Sequence, residues 1–144
     1  MQFKNKAKNK KYRSGSEEKL AKFMQANKLK FKYEPHTLEY SLPPLIRTYL
    51  PDFQIGDTYI EFKGRFLSPD RKKLLAVKYW HPAIDLRLVF QADQVYSSKT
   101  TKKKLRYSDW AKRHGFPYHI GISLPEAWIT ELKKNTSDGK KRVG

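Results

Sequence analysis

Three side chains within one short stretch, Asp52, Glu61 and Lys63, could act on the same substrate. They lie in a segment that reads as a β-hairpin. Tyr49 to Ile55 and Thr58 to Lys63 are rich in aromatic and β-branched residues, and Gly56-Asp57 separates them. With Gly56-Asp57 as a two-residue turn, Ile55 faces Thr58, Gln54 faces Tyr59, Phe53 faces Ile60 and Asp52 faces Glu61. Opposed residues share a sheet face, with Cβ atoms roughly 5 Å apart. Lys63, two residues beyond Glu61, joins that face, while Phe53, Ile60 and Phe62 fall on the opposite, apolar one. Two like charges directly opposed are destabilising unless something neutralises them. One reading is a divalent cation: hard oxygen ligands suit Mg²⁺ or Mn²⁺, which could bind a phosphate oxygen and activate a water oriented by Lys63. The other is a solvated strand face on which Lys63 and water screen the acids.

The elements around the hairpin decide what else can reach it. Ser14-Gly15-Ser16-Glu17 is a capping-box pattern, so a helix is expected from Ser14 to about Asn27, with Leu20, Ala21, Phe23 and Met24 as its apolar stripe. Glu17 shares the face of Leu20 and Met24, at spacings of three and seven. It is either a capping partner alone or an acid pointed at the sheet, which would complete an acidic metal site with Asp52 and Glu61. Phe31 and Tyr33 alternate with charged residues as a short strand. Residues 35–47 form a long connection whose Pro35, Pro43 and Pro44 exclude a central strand.

Downstream, Ser68-Pro69-Asp70 opens a second helix, with Ser68 as its cap, and Pro82 closes it. Ile84 to Phe90 is a strongly apolar strand. Residues 91–106 read as a polar, basic loop, and Ser108 as the cap of a short helix ending at Gly115. Tyr118-His119-Ile120 suggests an edge strand, and Pro125 to Leu132 a last short helix. The order predicts an α/β domain around a mixed central sheet flanked by helices. Residues 1–13 would be a basic arm, 14–133 the folded domain and 134–144 a basic, disordered tail.

Composition narrows the function. The chain has 144 residues, 31 Lys+Arg against 14 Asp+Glu, and a formal net charge of +17. Such a charge repels itself when folded, and a polyanion would offset the cost. Nucleic acid is the leading candidate, because neutralised phosphates release counterions. The cations are clustered: Lys4 to Arg13, Arg71 to Lys73, Lys99 to Arg106 and Lys140 to Arg142. The absence of Cys excludes a disulfide framework, a thiol nucleophile and thiolate zinc. His36, His81, His114 and His119 show no zinc spacing, and there is no P-loop for ATP. No apolar run nears the roughly 18 residues of a membrane span. No apolar segment follows the basic N-terminus as in a secretory signal. A soluble intracellular protein is expected. Trp80, Trp110 and Trp128 read as packing residues.

Pro51-Asp52, then Glu61-Phe62-Lys63 after an eight-residue gap, is similar to the Pro-Asp…(Asp/Glu)-x-Lys signature of a large nuclease superfamily with a restriction-endonuclease-like core. Its surroundings are more specific: Arg13 to Glu17, Phe31 to Glu34, Tyr49 to Phe53, Glu61 to Gly64, Asp70 to Lys73, His81-Pro82, Asp85 to Phe90 and Pro125 to Ile129, in that order. Together they resemble the bacteriophage endonuclease I family of Holliday-junction resolvases over about residues 12–133.

The resemblance implies a structure-selective endonuclease that hydrolyses phosphodiesters in four-way and other branched DNA, leaving 5′ phosphates. It implies Glu17, Asp52, Glu61 and Lys63 as catalytic residues. Asp52, Glu61 and the Phe62 carbonyl would hold one Mg²⁺ or Mn²⁺, Glu17 and Asp52 a second, and Lys63 would position the water. It implies an intertwined, domain-swapped homodimer, with residues 35–50 as the bridge and each site taking its helix glutamate from one chain and its hairpin residues from the other. It also implies a phage origin and action in the host cytoplasm. The DNA contacts expected from charge are Lys8, Lys10, Lys11, Arg13, Arg71, Lys72, Lys73, Lys102, Lys103 and Lys104. The competing functions are a sequence-specific restriction-type endonuclease and a non-catalytic basic DNA-binding protein.

Overall fold

The computed structural model describes residues 11–42, 45–97 and 104–143. Nine strands and four helices are assigned among them. A mixed five-stranded sheet forms the centre, in the order β1 (Lys32–Tyr33), β4 (Phe53–Ile55), β5 (Thr58–Lys63), β6 (Asp85–Phe90) and β9 (Tyr118–Ile120). The β4–β5 hairpin has the anticipated register, Phe53 with Ile60, Gln54 with Tyr59 and Ile55 with Thr58. Gly56, at φ +59, supplies the left-handed backbone that a two-residue hairpin connection needs. β5 and β6 are parallel, so a crossover is required, and α2 (Ser68–Trp80) provides it.

Each face of the sheet carries its own core. On one, Leu20, Ala21 and Met24 of α1 (Gly15–Ala26) and Ile129 and Leu132 of α4 (Glu126–Val143) pack on Phe53, Ile60, Phe62 and Val89. On the other, Leu74 and Val77 of α2 and Trp110 and Ala111 of α3 (Tyr107–Arg113) pack on Leu86, Leu88 and Phe90. Pairing Glu61 with Leu88 and Lys63 with Phe90 puts the hairpin's charged residues on this second face. They are therefore not on a solvated strand surface.

Several boundaries differ from the sequence reading, and local hydrogen bonds explain most of them. Ser68 is the first residue of α2 and Leu67 its cap, because Asp70 accepts the Leu67 N–H at 3.0 Å. Arg106, not Ser108, precedes α3: Asp109 accepts the Arg106 N–H at 2.8 Å, while the Ser108 hydroxyl donates to Asp93 at 2.6 Å. The 91–106 segment contains a short β7 (Val95–Ser97) and β8 (Leu105–Arg106) pair. Segment 35–50 is mostly paired, as β2 (Leu38–Leu42) and β3 (Leu45–Tyr49), an antiparallel ribbon separate from the main sheet; Pro43 and Pro44 lie outside the described residues. The last helix continues to Val143, where a disordered tail is expected from residue 134.

α4 is tied to the sheet by a charge cluster. Arg87, 6% exposed, donates to both oxygens of Asp85 at 2.9 Å and to both of Glu131 at 2.8 and 3.1 Å. Thr58 donates to Asp85 at 2.7 Å, and the guanidinium lies 5.3 Å from the Trp128 ring centroid. Removing one partner of a fully buried pair costs about 3–5 kcal/mol. Asp85 and Glu131 are partly exposed and can rehydrate, so Arg87→Ala should cost less, about 2 kcal/mol. Urea unfolding followed by circular dichroism measures this, and an unchanged midpoint would show that α4 does not depend on the cluster.

Candidate active site

The site forms where the N-terminus of α1 meets the start of the β4–β5 hairpin. Ser14 caps α1, its hydroxyl accepting the Glu17 N–H at 3.0 Å. Glu17 does not return the bond to Ser14. Its Oε1 accepts the Arg13 N–H at 3.0 Å and the Tyr33 hydroxyl at 2.7 Å. Glu17 is thus held at the mouth of the sheet, only 7% exposed.

Asp52 is held at both its backbone and its side chain. Its carbonyl accepts the Glu34 N–H at 2.8 Å, with Glu34 at φ +45, and its Oδ2 accepts the Phe62 N–H at 2.8 Å. Glu61, on the adjacent strand, receives the Tyr49 hydroxyl on Oε1 at 2.6 Å. The Lys63 ammonium lies 3.3 Å from Glu61 Oε2 and 3.3 Å from Asp70 Oδ1. All four anticipated residues, Glu17, Asp52, Glu61 and Lys63, line one cleft of about 680 Å³, together with Phe62.

The electrostatics are those of crowded, buried acids. Burial pushes the Asp52 carboxyl up to about 9. The Glu61 charge and the adjacent Glu17 carboxyl add to this, against the lowering by the Phe62 N–H. Burial also raises Glu61, against the pull of Lys63 and Tyr49. Tyr49 is raised well above the ordinary tyrosine value by burial and by Glu61, so it remains a donor. Burial lowers Lys63, but Glu61, Asp70 and Asp52 outweigh it and hold the group above its usual value. Lys63 is therefore held as an ammonium, a hydrogen-bond donor.

The donor set is all hard oxygen, which suits a Mg²⁺- or Mn²⁺-type ion. Among the described residues, no three Asp, Glu, His or Cys side chains are already arranged as a closed ligand cage. The acids interact pairwise instead, Asp52 with Glu61 and with Glu17. An ion entering here would offset the burial and the repulsion that together raise Asp52.

The expected DNA contacts are divided. Arg13 and Lys73 line the cleft. Lys11, Lys72 and Lys104 are exposed. Arg71 turns inward, donating to the Phe66 carbonyl at 2.6 Å and stacking 4.6 Å from the Tyr96 ring centroid. Lys8, Lys10, Lys102 and Lys103 lie outside the described residues. Sequence reasoning missed Tyr33, Tyr49, Asp70 and Arg65 in the cleft or against its acids. Asp70 carried a signal, seven residues from Lys63, but its helix-capping role hid it.

Because folding raises the pKa of Asp52 from about 4 to about 9, the folded state binds more protons between those limits. The metal-free protein should therefore lose stability as pH rises from 5 to 9. Asp52→Asn should flatten this slope and be more stable than wild type at pH 8, by about 1 kcal/mol or more, since one pKa unit corresponds to about 1.4 kcal/mol. Urea midpoints across that pH range, in chelator, test both statements. A wild-type midpoint that rises with pH would refute the buried-acid account.

A family profile described as phage endonuclease I matches residues 1–143. The chain is 34% identical over 137 residues to endonuclease I of Escherichia phage T7, covering 92% of this chain and 89% of that protein. It is also 34% identical over 143 residues to endodeoxyribonuclease 1 of Enterobacteria phage T3, covering 92% and 91%. With the profile spanning nearly its whole length and its acids and lysine gathered in one cleft, the chain belongs to the phage endonuclease I family.

Proposed function

We propose that the chain is a metal-dependent DNA endonuclease that selects branched DNA, above all four-way junctions, and acts as a homodimer. The observation that carries the hydrolytic part is one cleft holding Glu17, Asp52, Glu61 and Lys63 beneath the basic rim of Arg13, Arg65 and Lys73. Asp52, Glu61 and the Phe62 carbonyl would hold one Mg²⁺ or Mn²⁺, and Glu17 with Asp52 a second. Such an ion supplies a reactive water and neutralises charge on the phosphate. Lys63, kept cationic by its acids, donates to the attacking water or to a phosphate oxygen. The rim cations seat the phosphodiester, and cleavage leaves a 5′ phosphate.

Two symmetry-related cuts suit two identical subunits. The resemblance pairs the helix of one chain with the hairpin of another, whereas here Glu17, Asp52 and Glu61 of a single chain share the cleft. The same contacts serve both arrangements if the 35–50 segment passes between chains. Branch selection would then follow from the spacing and angle of two basic clefts reading duplex shape and deformability. The phage relatives support a reading in which the enzyme would act in the cytoplasm of an infected host cell.

The test is cleavage of an end-labelled four-way junction beside a linear duplex of the same sequence, with Mg²⁺ and with EDTA. Paired cuts near the branch are expected only with metal. Lys63→Ala, Asp52→Asn and Glu61→Gln should slow them by about 100- to 1,000-fold. Junction binding in EDTA should be retained in the two acid variants, and tightened at pH values where the replaced carboxyl is ionised and faces phosphate. Cuts at one sequence in linear duplex would favour a restriction-type enzyme. Binding with no cuts under any metal would leave a basic DNA-binding protein.

A further inference from the structure

Three of the cleft carboxylates, those of Glu17, Asp52 and Glu61, have one oxygen tied by a fixed donor. Glu17 Oε1 takes the Tyr33 hydroxyl at 2.7 Å, Asp52 Oδ2 the Phe62 N–H at 2.8 Å, and Glu61 Oε1 the Tyr49 hydroxyl at 2.6 Å. The second oxygen of Glu61 faces Lys63, and the Glu17 and Asp52 carboxyls face each other. Asp52 sits on a short stem beside a backbone donor and needs little more. A glutamate has an extra rotatable bond, so its aim depends on what grips it. Both cleft glutamates, and neither Asp52 nor Asp70, are gripped by a phenol.

We infer that Tyr33 and Tyr49 are paired positioning residues: each hydroxyl aims one cleft glutamate so that its carboxylate is turned toward the other cleft groups, where a metal ion would bind. The inference rests on the metal-site reading above and deepens it. The two phenols come from different elements. Tyr33 is in edge strand β1, wedged between Tyr12, with centroids 4.6 Å apart, and Phe53, at 5.3 Å. Tyr49 ends β3 and is 3% exposed within the second core. Rings packed this way cannot follow a wandering carboxylate, so the carboxylate must follow them. Donors that orient ligating groups typically govern metal affinity by about 10- to 100-fold. A tyrosine present only for packing would contribute nothing to affinity, because its ring survives in phenylalanine.

The test uses the full chain as Tyr33→Phe, Tyr49→Phe and the double variant. Mn²⁺ alone is titrated calorimetrically without DNA, and urea midpoints and junction affinity are measured in EDTA. Each single variant should weaken Mn²⁺ binding about 10-fold or more, the double variant further, with junction affinity in EDTA within about twofold of wild type. A purely structural role would lower the urea midpoint and leave Mn²⁺ affinity unchanged. Mn²⁺ affinity within about twofold of wild type in both single variants overturns the inference while leaving the metal site standing. Wild type that takes up no Mn²⁺ overturns the metal-site reading and this inference with it. Should Tyr49→Phe fail to fold, Tyr33→Phe at the sheet edge decides the matter alone.

Discussion

The constraint on which the site depends is repulsion between acids that the fold has taken out of water. Asp52 and Glu61 are each about 6% exposed and Glu17 is 7% exposed. A lone buried carboxylate is costly, and like-charged neighbours add to the cost. The chain answers with directed donors: two phenols, two backbone amides and one ammonium. These reduce the cost of burial and repulsion but do not remove it, and both still hold Asp52 well above the ordinary carboxyl range. A site left short of positive charge is one that gains most from a cation or from its own protons. That residual imbalance links fold stability to function.

Holding such a cluster requires rigid walls on both sides. The sheet supplies them because neither of its faces is left to solvent. The apolar partners Phe53, Ile60 and Phe62 lock the hairpin onto α1 and α4, and this lock fixes the angle at which Asp52, Glu61 and Lys63 emerge on the other face. The Arg87 cluster anchors α4 from the same side without reaching the cleft. Asp70 serves both duties, capping α2 and facing Lys63, so the crossover helix and the ammonium are set by one carboxylate.

What was legible in the sequence follows from the range of the interactions involved. The hairpin register and the Ser14 cap rest on neighbours within a few residues, and both were readable. The aim of Glu17 was half readable: helical spacing gave its face, but the partner that fixes it, Tyr33, is 16 residues away. Tyr49 was hidden because its phenol looks like any aromatic in an apolar run. Ser108 misled for a related reason: Ser and Asp are both good helix-start residues, and the competition was settled by Asp93, 15 residues upstream. The pairing within residues 35–50 was illegible because two prolines mask a strand signal on either side of them.

The position of those prolines bears on how two sites could be made at once. Every site residue from Arg13 to Tyr33 precedes them, and every one from Tyr49 to Asp70 follows them. The cleft is therefore a joint between two parts of the chain connected through β2 and β3. A joint of this kind closes equally well within one chain or between two, since the contacts inside it are the same. The difference lies in the connection: the β2–β3 pairing must be exchanged, and chain concentration then enters the balance. If the chain cuts two strands of one junction, as proposed, it would have reason to favour the exchanged form. In that form, opening one site would disturb the chain that completes the other, so that two cuts would be mechanically linked rather than independent.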